Sequence, residues 1–172
     1  IDWRADTLTV DVTELYAIDP RSGHEHEIGA FRFVIESGSS EVRMYNLTRQ
    51  VKAFNNSLMH APHVFPNGRP CLGNMAGVIP ALVSNYEWAP AISLCISFVE
   101  AVNVDDAAGK YIDKWPVART ASEVEAGALR PREREAIQIA EELAEEAEFI
   151  DDTPAVEAES PFGDMGEFFE TV

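Results

Sequence analysis

The sequence predicts an α+β fold: an antiparallel meander packed on a buried helix, with a further helix towards the C-terminus. Three observations lead there. Alternating apolar segments joined by short turns fill residues 7–47. Residues 91–102 are apolar almost all round. Residues 132–150 repeat apolar side chains at helical spacing on an otherwise glutamate-rich segment.

In residues 7–12, Leu8, Val10 and Val12 alternate with Thr7, Thr9 and Asp11, the period of a half-buried strand. The strand is expected to run to about Ile18. Asp19-Pro20-Arg21-Ser22-Gly23 is a turn, because proline fixes φ and glycine accepts positive φ. Residues 28–35 alternate again through Phe31, Phe33 and Ile35, until Ser37-Gly38-Ser39-Ser40 interrupts them. Residues 41–47 read as a third strand, and short turns between three strands favour a meander. From 55 to 74 periodicity stops, with Pro62, Pro66, Pro70, Gly68 and Gly73 in the stretch. A loop this long inside a domain is usually functional. Pro90 suits the first turn of a helix, and an apolar run without a polar face predicts a buried one. Ala136, Ile137, Ala140, Leu143, Ala144 and Ala147 share one stripe of the last helix. Residues 1–150 are therefore expected to form the domain. Residues 151–172 are expected to form an acidic, flexible tail carrying Phe162, Met165, Phe168 and Phe169 as anchors for a partner, the alternative being that these side chains dock on the domain itself.

Composition narrows the function classes. The 172 residues carry a net charge of −17, of which −12 falls in residues 131–172. Nucleic-acid binding wants a basic face, so this balance argues against it. No apolar run reaches the length of a membrane span, and no signal-peptide pattern opens the chain. Ile1 leaves room for a processed or trimmed piece. Cys71 and Cys95 make no disulfide framework and no paired metal spacing, so a reducing cytoplasm is the simplest compartment.

The chemistry concentrates in Ala61-Pro62-His63-Val64-Phe65-Pro66-Asn67-Gly68-Arg69-Pro70-Cys71-Leu72. This segment resembles the active-site loop of the ubiquitin-conjugating (UBC) superfamily, with its His-Pro-Asn, Asn-Gly turn and Cys-Leu. Pro62 matches the family proline, His63 its asparagine, Asn67-Gly68 its turn and Cys71-Leu72 its acceptor. Trp88-Ala89-Pro90-Ala91 is similar to the family's Trp-Ser-Pro-Ala, which opens a long buried helix. The chain departs from the pattern at Ala61, where the family has histidine, and at His63. It also carries more residues between Cys71 and Trp88. These departures look like the divergent bacterial branch.

The resemblance implies a UBC-like fold and a transferase that carries a ubiquitin-like modifier as a thioester on Cys71 and passes it to an amine. It implies an activating enzyme and a modifier as partners, beyond them a ligase or protein substrate, and no cofactor. A thioester is an activated acyl donor, and its aminolysis passes through an oxyanion that needs a donor. His63 is expected as that donor or as a base, and Asn67 as the turn that shapes the loop. Asp105 and Asp106 are expected as carboxylates on the lysine side. The alternative is a catalytically silent UBC-fold scaffold that holds a modifier or another partner. His60, His63 and Cys71 supply three of the four ligands of a zinc site, with no fourth nearby in sequence. Cys95 is expected in the core.

Overall fold

The apolar alternation of the first two long strands changes phase halfway, and that change shapes the sheet. The structure, a computed structural model, describes residues 2–4, 7–39, 41–53 and 56–151. Strand β1 (Asp2–Arg4) pairs with β2 (Thr7–Ile18), which pairs antiparallel with β3 (Glu25–Glu36). In β2 the buried residues are Leu8 and Val10, then Leu15 and Ala17. In β3 the buried apolar side chains are Ile28, then Phe31, Phe33 and Ile35. Successive side chains of a strand face opposite ways, so each switch from even to odd numbers requires a bulge. The register shifts between Val12 and Leu15, where Glu14 adopts φ 50°. Opposite Leu15 stands Gly29 at φ 110°, and a Cβ there would run into Thr48 Oγ1. The bulge keeps both halves of the hairpin facing one core.

The turn at Asp19 closes as the sequence predicts. Gly23 N–H donates to Asp19 O at 2.8 Å with Gly23 at φ 72°, and Asp19 N–H donates to His24 O at 2.9 Å. Strand β4 (Val42–Asn46) follows on the far side of β3, giving the order β1-β2-β3-β4. Strands β5 (Val51–Lys52) and β6 (Leu58–Met59) form a small separate hairpin.

Helix α1 (Val78–Ser84) packs against α2 (Trp88–Glu100), and α2 lies on β2 and β3. The expectation that this helix is buried all round is corrected. Ala91, Cys95 and Val99, one stripe at four-residue spacing, are fully enclosed. Ile92, Leu94, Ile96 and Phe98 are half-buried, and Ala89, Ser93, Ser97 and Glu100 face out. Small side chains, not a charged face, make the solvent stripe. The residues between Cys71 and Trp88 form a 3-10 turn (Gly73–Met75) and α1, elements the sequence left unassigned.

A second 3-10 segment (Gly109–Lys114) leads into β7 (Val117–Arg119), which pairs with the start of β3. There the buried carboxylate of Glu25 receives Arg119 Nε at 2.7 Å and Arg130 Nη2 at 2.9 Å. Burial raises the carboxyl's pKa, but the bonds from Arg130 and Arg119 outweigh it and hold it below the usual range. Helix α3 (Ala121–Glu125) starts with a capping box: Glu123 N–H donates to Thr120 Oγ1, and Thr120 N–H to Glu123 Oε2.

The chain divides into two units, Ile1–Arg130 and Pro131–Val172. The second contains α4 (Pro131–Asp151), whose residues 131–145 are exposed throughout. Ile137, Ile139 and Leu143 are between 46% and 60% exposed. The expected flexible tail with its aromatic anchors lies, beyond Asp151, outside the described residues. Among the described residues no helix is long and apolar enough to cross a membrane.

Candidate functional site

The loop without periodicity is built from tight backbone closures. Ala61 and Val64 bridge each other around Pro62-His63, and Val64 bridges onward to Pro70. His63 sits at φ 66°, left-handed backbone that histidine tolerates better than most side chains. This fold-back sets His63 O to receive Cys71 N–H at 2.7 Å. Eight residues apart in sequence, the two are joined by one hydrogen bond. Val64 and Ala61 are fully enclosed and anchor the closure in the core.

A second turn runs through Pro66-Asn67. Gly68 N–H donates to Phe65 O at 2.8 Å, and Phe65 N–H donates to Arg69 O at 3.0 Å. Gly68, at φ 77°, ties the loop to the sheet by accepting Met44 N–H on its carbonyl oxygen at 2.8 Å. The ring of Tyr45 covers Gly68 so closely that a Cβ would lie 2.6 Å from Tyr45 Cε1. Asn67 is exposed and stiffens the turn, accepting Arg69 N–H on Oδ1 at 3.1 Å and Arg43 Nη1 on its backbone oxygen at 3.1 Å.

His60 fastens the loop from beneath. Asn46 N–H donates to His60 Nδ1 at 2.9 Å, so the ring proton belongs on Nε2, which lies 3.3 Å from Pro66 O. Burial pushes the imidazole pKa down and favours this neutral form. Asn46 is the hub. Its amide donates to Ile28 O at 2.7 Å and His60 O at 3.0 Å, and its Oδ1 accepts Thr48 N–H at 2.9 Å and Arg49 N–H at 2.6 Å. His60 spends Nδ1 on the N–H of Asn46 in β4 and Nε2 on the Pro66 carbonyl of the loop, and among the described residues no group of three His, Cys, Asp or Glu is placed to hold a metal ion.

Cys71 is exposed, and Cys95 is buried in α2 with its thiol pushed up to about 12 by burial. Cys71 borders an open groove of about 630 Å³ with Phe65, Pro66, Asn67, Arg69 and Pro70. It also borders a narrower cleft of about 250 Å³ with His63 and Asp106, whose apolar walls include Met59, Ala108 and Tyr111. His63 is 7% exposed. Its Nδ1 lies 3.7 Å from Asp106 Oδ2, and its enclosed Nε2 has no hydrogen-bond partner among the described residues. An enclosed polar atom left unpaired costs roughly 1–3 kcal/mol, and left-handed backbone adds to that. Asp106 Oδ1 also accepts Ala108 N–H at 3.0 Å, which fixes the carboxylate at the rim.

The structure thus gathers Cys71, His63 and Asp106 around one cleft and places Asn67 with Cys71 on the adjoining groove. Asp105 stays outside both. Its side chain is exposed, and its N–H donates to Asn103 Oδ1 at 3.1 Å. Sequence reasoning missed Tyr111, Met59 and Asn46. Tyr111 and Met59 carry no local signal for a cleft assembled from segments fifty residues apart. Asn46 was hidden as a polar residue ending a strand. Comparison with known protein families, with characterised proteins and with solved structures gives no match.

Proposed function

We propose that this chain is a conjugating enzyme of the ubiquitin-like kind, with a UBC-like fold, which takes its modifier from an activating enzyme as a thioester on Cys71. It transfers the acyl group to the amine of a lysine. The observation that carries this reading is an exposed thiol on a braced loop, hydrogen-bonded through its backbone to His63 and sharing a cleft with His63 and Asp106. Transthioesterification is close to thermoneutral, so the thiol needs access more than activation. Aminolysis then needs a group beside the carbonyl that stabilises charge or takes a proton. His63 stands where the family has asparagine, and Asp106 lies at the rim where the amine would arrive. Asn67-Gly68, pinned to β4, keeps Cys71 presented to the open groove, which suits an extended acyl chain.

Ala61 in place of the family histidine favours the second reading, a silent scaffold. His60 compensates for it by bonding Asn46 and Pro66 from the neighbouring position. The test is incubation with the cognate activating enzyme, modifier and ATP, followed by a non-reducing gel. The proposal expects a shifted band that reductant removes. A complete system that charges no band supports the scaffold.

A further inference from the structure

Building on the acyl-transfer reading, we propose that the cleft beside Cys71 also serves hydroxyl acceptors, serine or threonine, with His63 as the general base and Asp106 as its partner. An amine can shed its proton to water before it attacks. A hydroxyl has to lose its proton as the new C–O bond forms, and this requires a base within reach of the attacking oxygen. The family asparagine cannot take a proton; an imidazole can.

Three features of the site fit this chemistry. The Cys71 N–H bond to the His63 carbonyl ties the two backbones together, and both residues line the same cleft. The His63 ring is enclosed on the Nε2 side, which has no partner among the described residues, and faces Asp106 with Nδ1 at 3.7 Å. Asp106 is 43% exposed and lines the cleft with Cys71 and His63, so an acceptor entering there meets residues that carry all three groups. The cleft, about 250 Å³ with Ala53 and Ala108 on its walls, has room for a short side chain.

The step balances without another reactant. With the imidazole's own proton on Nε2, the acceptor oxygen attacks the carbonyl carbon of the Cys71 thioester, and its proton passes to the bare His63 Nδ1. Asp106 meets the positive charge that arrives there. The tetrahedral intermediate collapses, the C–S bond breaks, and the departing Cys71 thiolate recovers the proton from His63. The products are an oxyester and the free thiol.

The experiment needs no natural modifier. The acetyl-Gly-Gly thioester of 2-mercaptoethanesulfonate charges the protein, and intact mass measures the adduct. The charged protein is then chased with Nα-acetyl-threonine amide, Nα-acetyl-lysine amide or buffer alone, with rates taken per charged molecule. Threonine amide is expected to discharge Cys71 at least tenfold faster than buffer and to yield a hydroxylamine-labile ester. In His63→Asn, a residue that accepts left-handed backbone, the ratio of threonine to lysine discharge is expected to fall at least tenfold. Asp106→Asn, at an exposed position, is expected to lower that ratio several-fold without touching the core. Discharge by lysine amide with threonine amide no faster than buffer overturns the hydroxyl proposal and leaves the conjugating reading standing. Threonine discharge with an unchanged ratio in both variants overturns the role of His63 and Asp106. Failure of Cys71 to take the acyl group at all overturns the acyl-transfer reading, and the acceptor proposal falls with it.

Discussion

At the scale of single residues, His63 and Cys71 belong together through one backbone bond, and the rest of the loop exists to make that bond. That the two come together was readable from the eight positions that separate them, a turn-rich stretch with Pro66, Gly68 and Pro70 that has to fold back. That Asp106 rather than Asp105 reaches the cleft was not readable. The choice depends on how the chain leaves α2, and Asn103 caps that exit by binding Asp105 N–H. Two predictions belong at this scale. At pH 8, iodoacetamide should label Cys71 and leave Cys95 untouched until the protein unfolds, because burial keeps the Cys95 thiol protonated. Mass mapping of equal labelling at both thiols would contradict it. The second concerns His60, whose folded pKa lies below its ordinary 6.5. The unfolded chain then binds the extra proton, so His60's contribution to stability is complete above about pH 6.5 and is lost as pH falls towards the folded value. The melting temperature should drop between pH 7 and pH 5, and the drop should shrink in His60→Gln. Parallel curves for the two proteins would show that His60 does not set it.

Elements were legible where one period governs them. The three long strands and the last helix fall where the alternation and the 3.6-residue stripe put them. The bulge at Glu14 and Gly29 was less visible, because Leu8, Val10 and Val12 are all apolar and extend the even phase up to the break. Helix α2 was read as buried all round because Ser93 and Ser97 look neutral beside ten apolar neighbours, yet they form its wet side. Helix α1, β7 and α3 carry too few residues to show a period. The Asn67-Gly68 turn tests how tightly the loop is held to β4. Gly68→Ala would place a methyl against the Tyr45 ring and force left-handed backbone on alanine, the latter alone costing about 1–2 kcal/mol. Chemical denaturation should show at least that loss, and Cys71 should accept acyl groups more slowly. An unchanged midpoint would mean the turn is not pressed on Tyr45. At the other end of β3, Glu25→Ala removes the carboxylate shared by Arg119 and Arg130. About 3 kcal/mol should be lost, the usual cost of stranding charges of a buried pair. A loss below about 1 kcal/mol would mean that solvent takes over both guanidinium groups.

For the whole molecule, an antiparallel sheet, an overlying helix and a side-closed loop put one thiol in the open and hide the other. Charge adds a second division, since most of the negative charge is carried after Pro131, away in sequence from the site. The measurement that bears most directly on this account compares Cys71→Ala and Cys95→Ala in the charging reaction with activating enzyme, modifier and ATP. The account predicts that Cys95→Ala still forms a reductant-sensitive adduct and that Cys71→Ala forms none. An adduct that survives in Cys71→Ala and disappears in Cys95→Ala would contradict it.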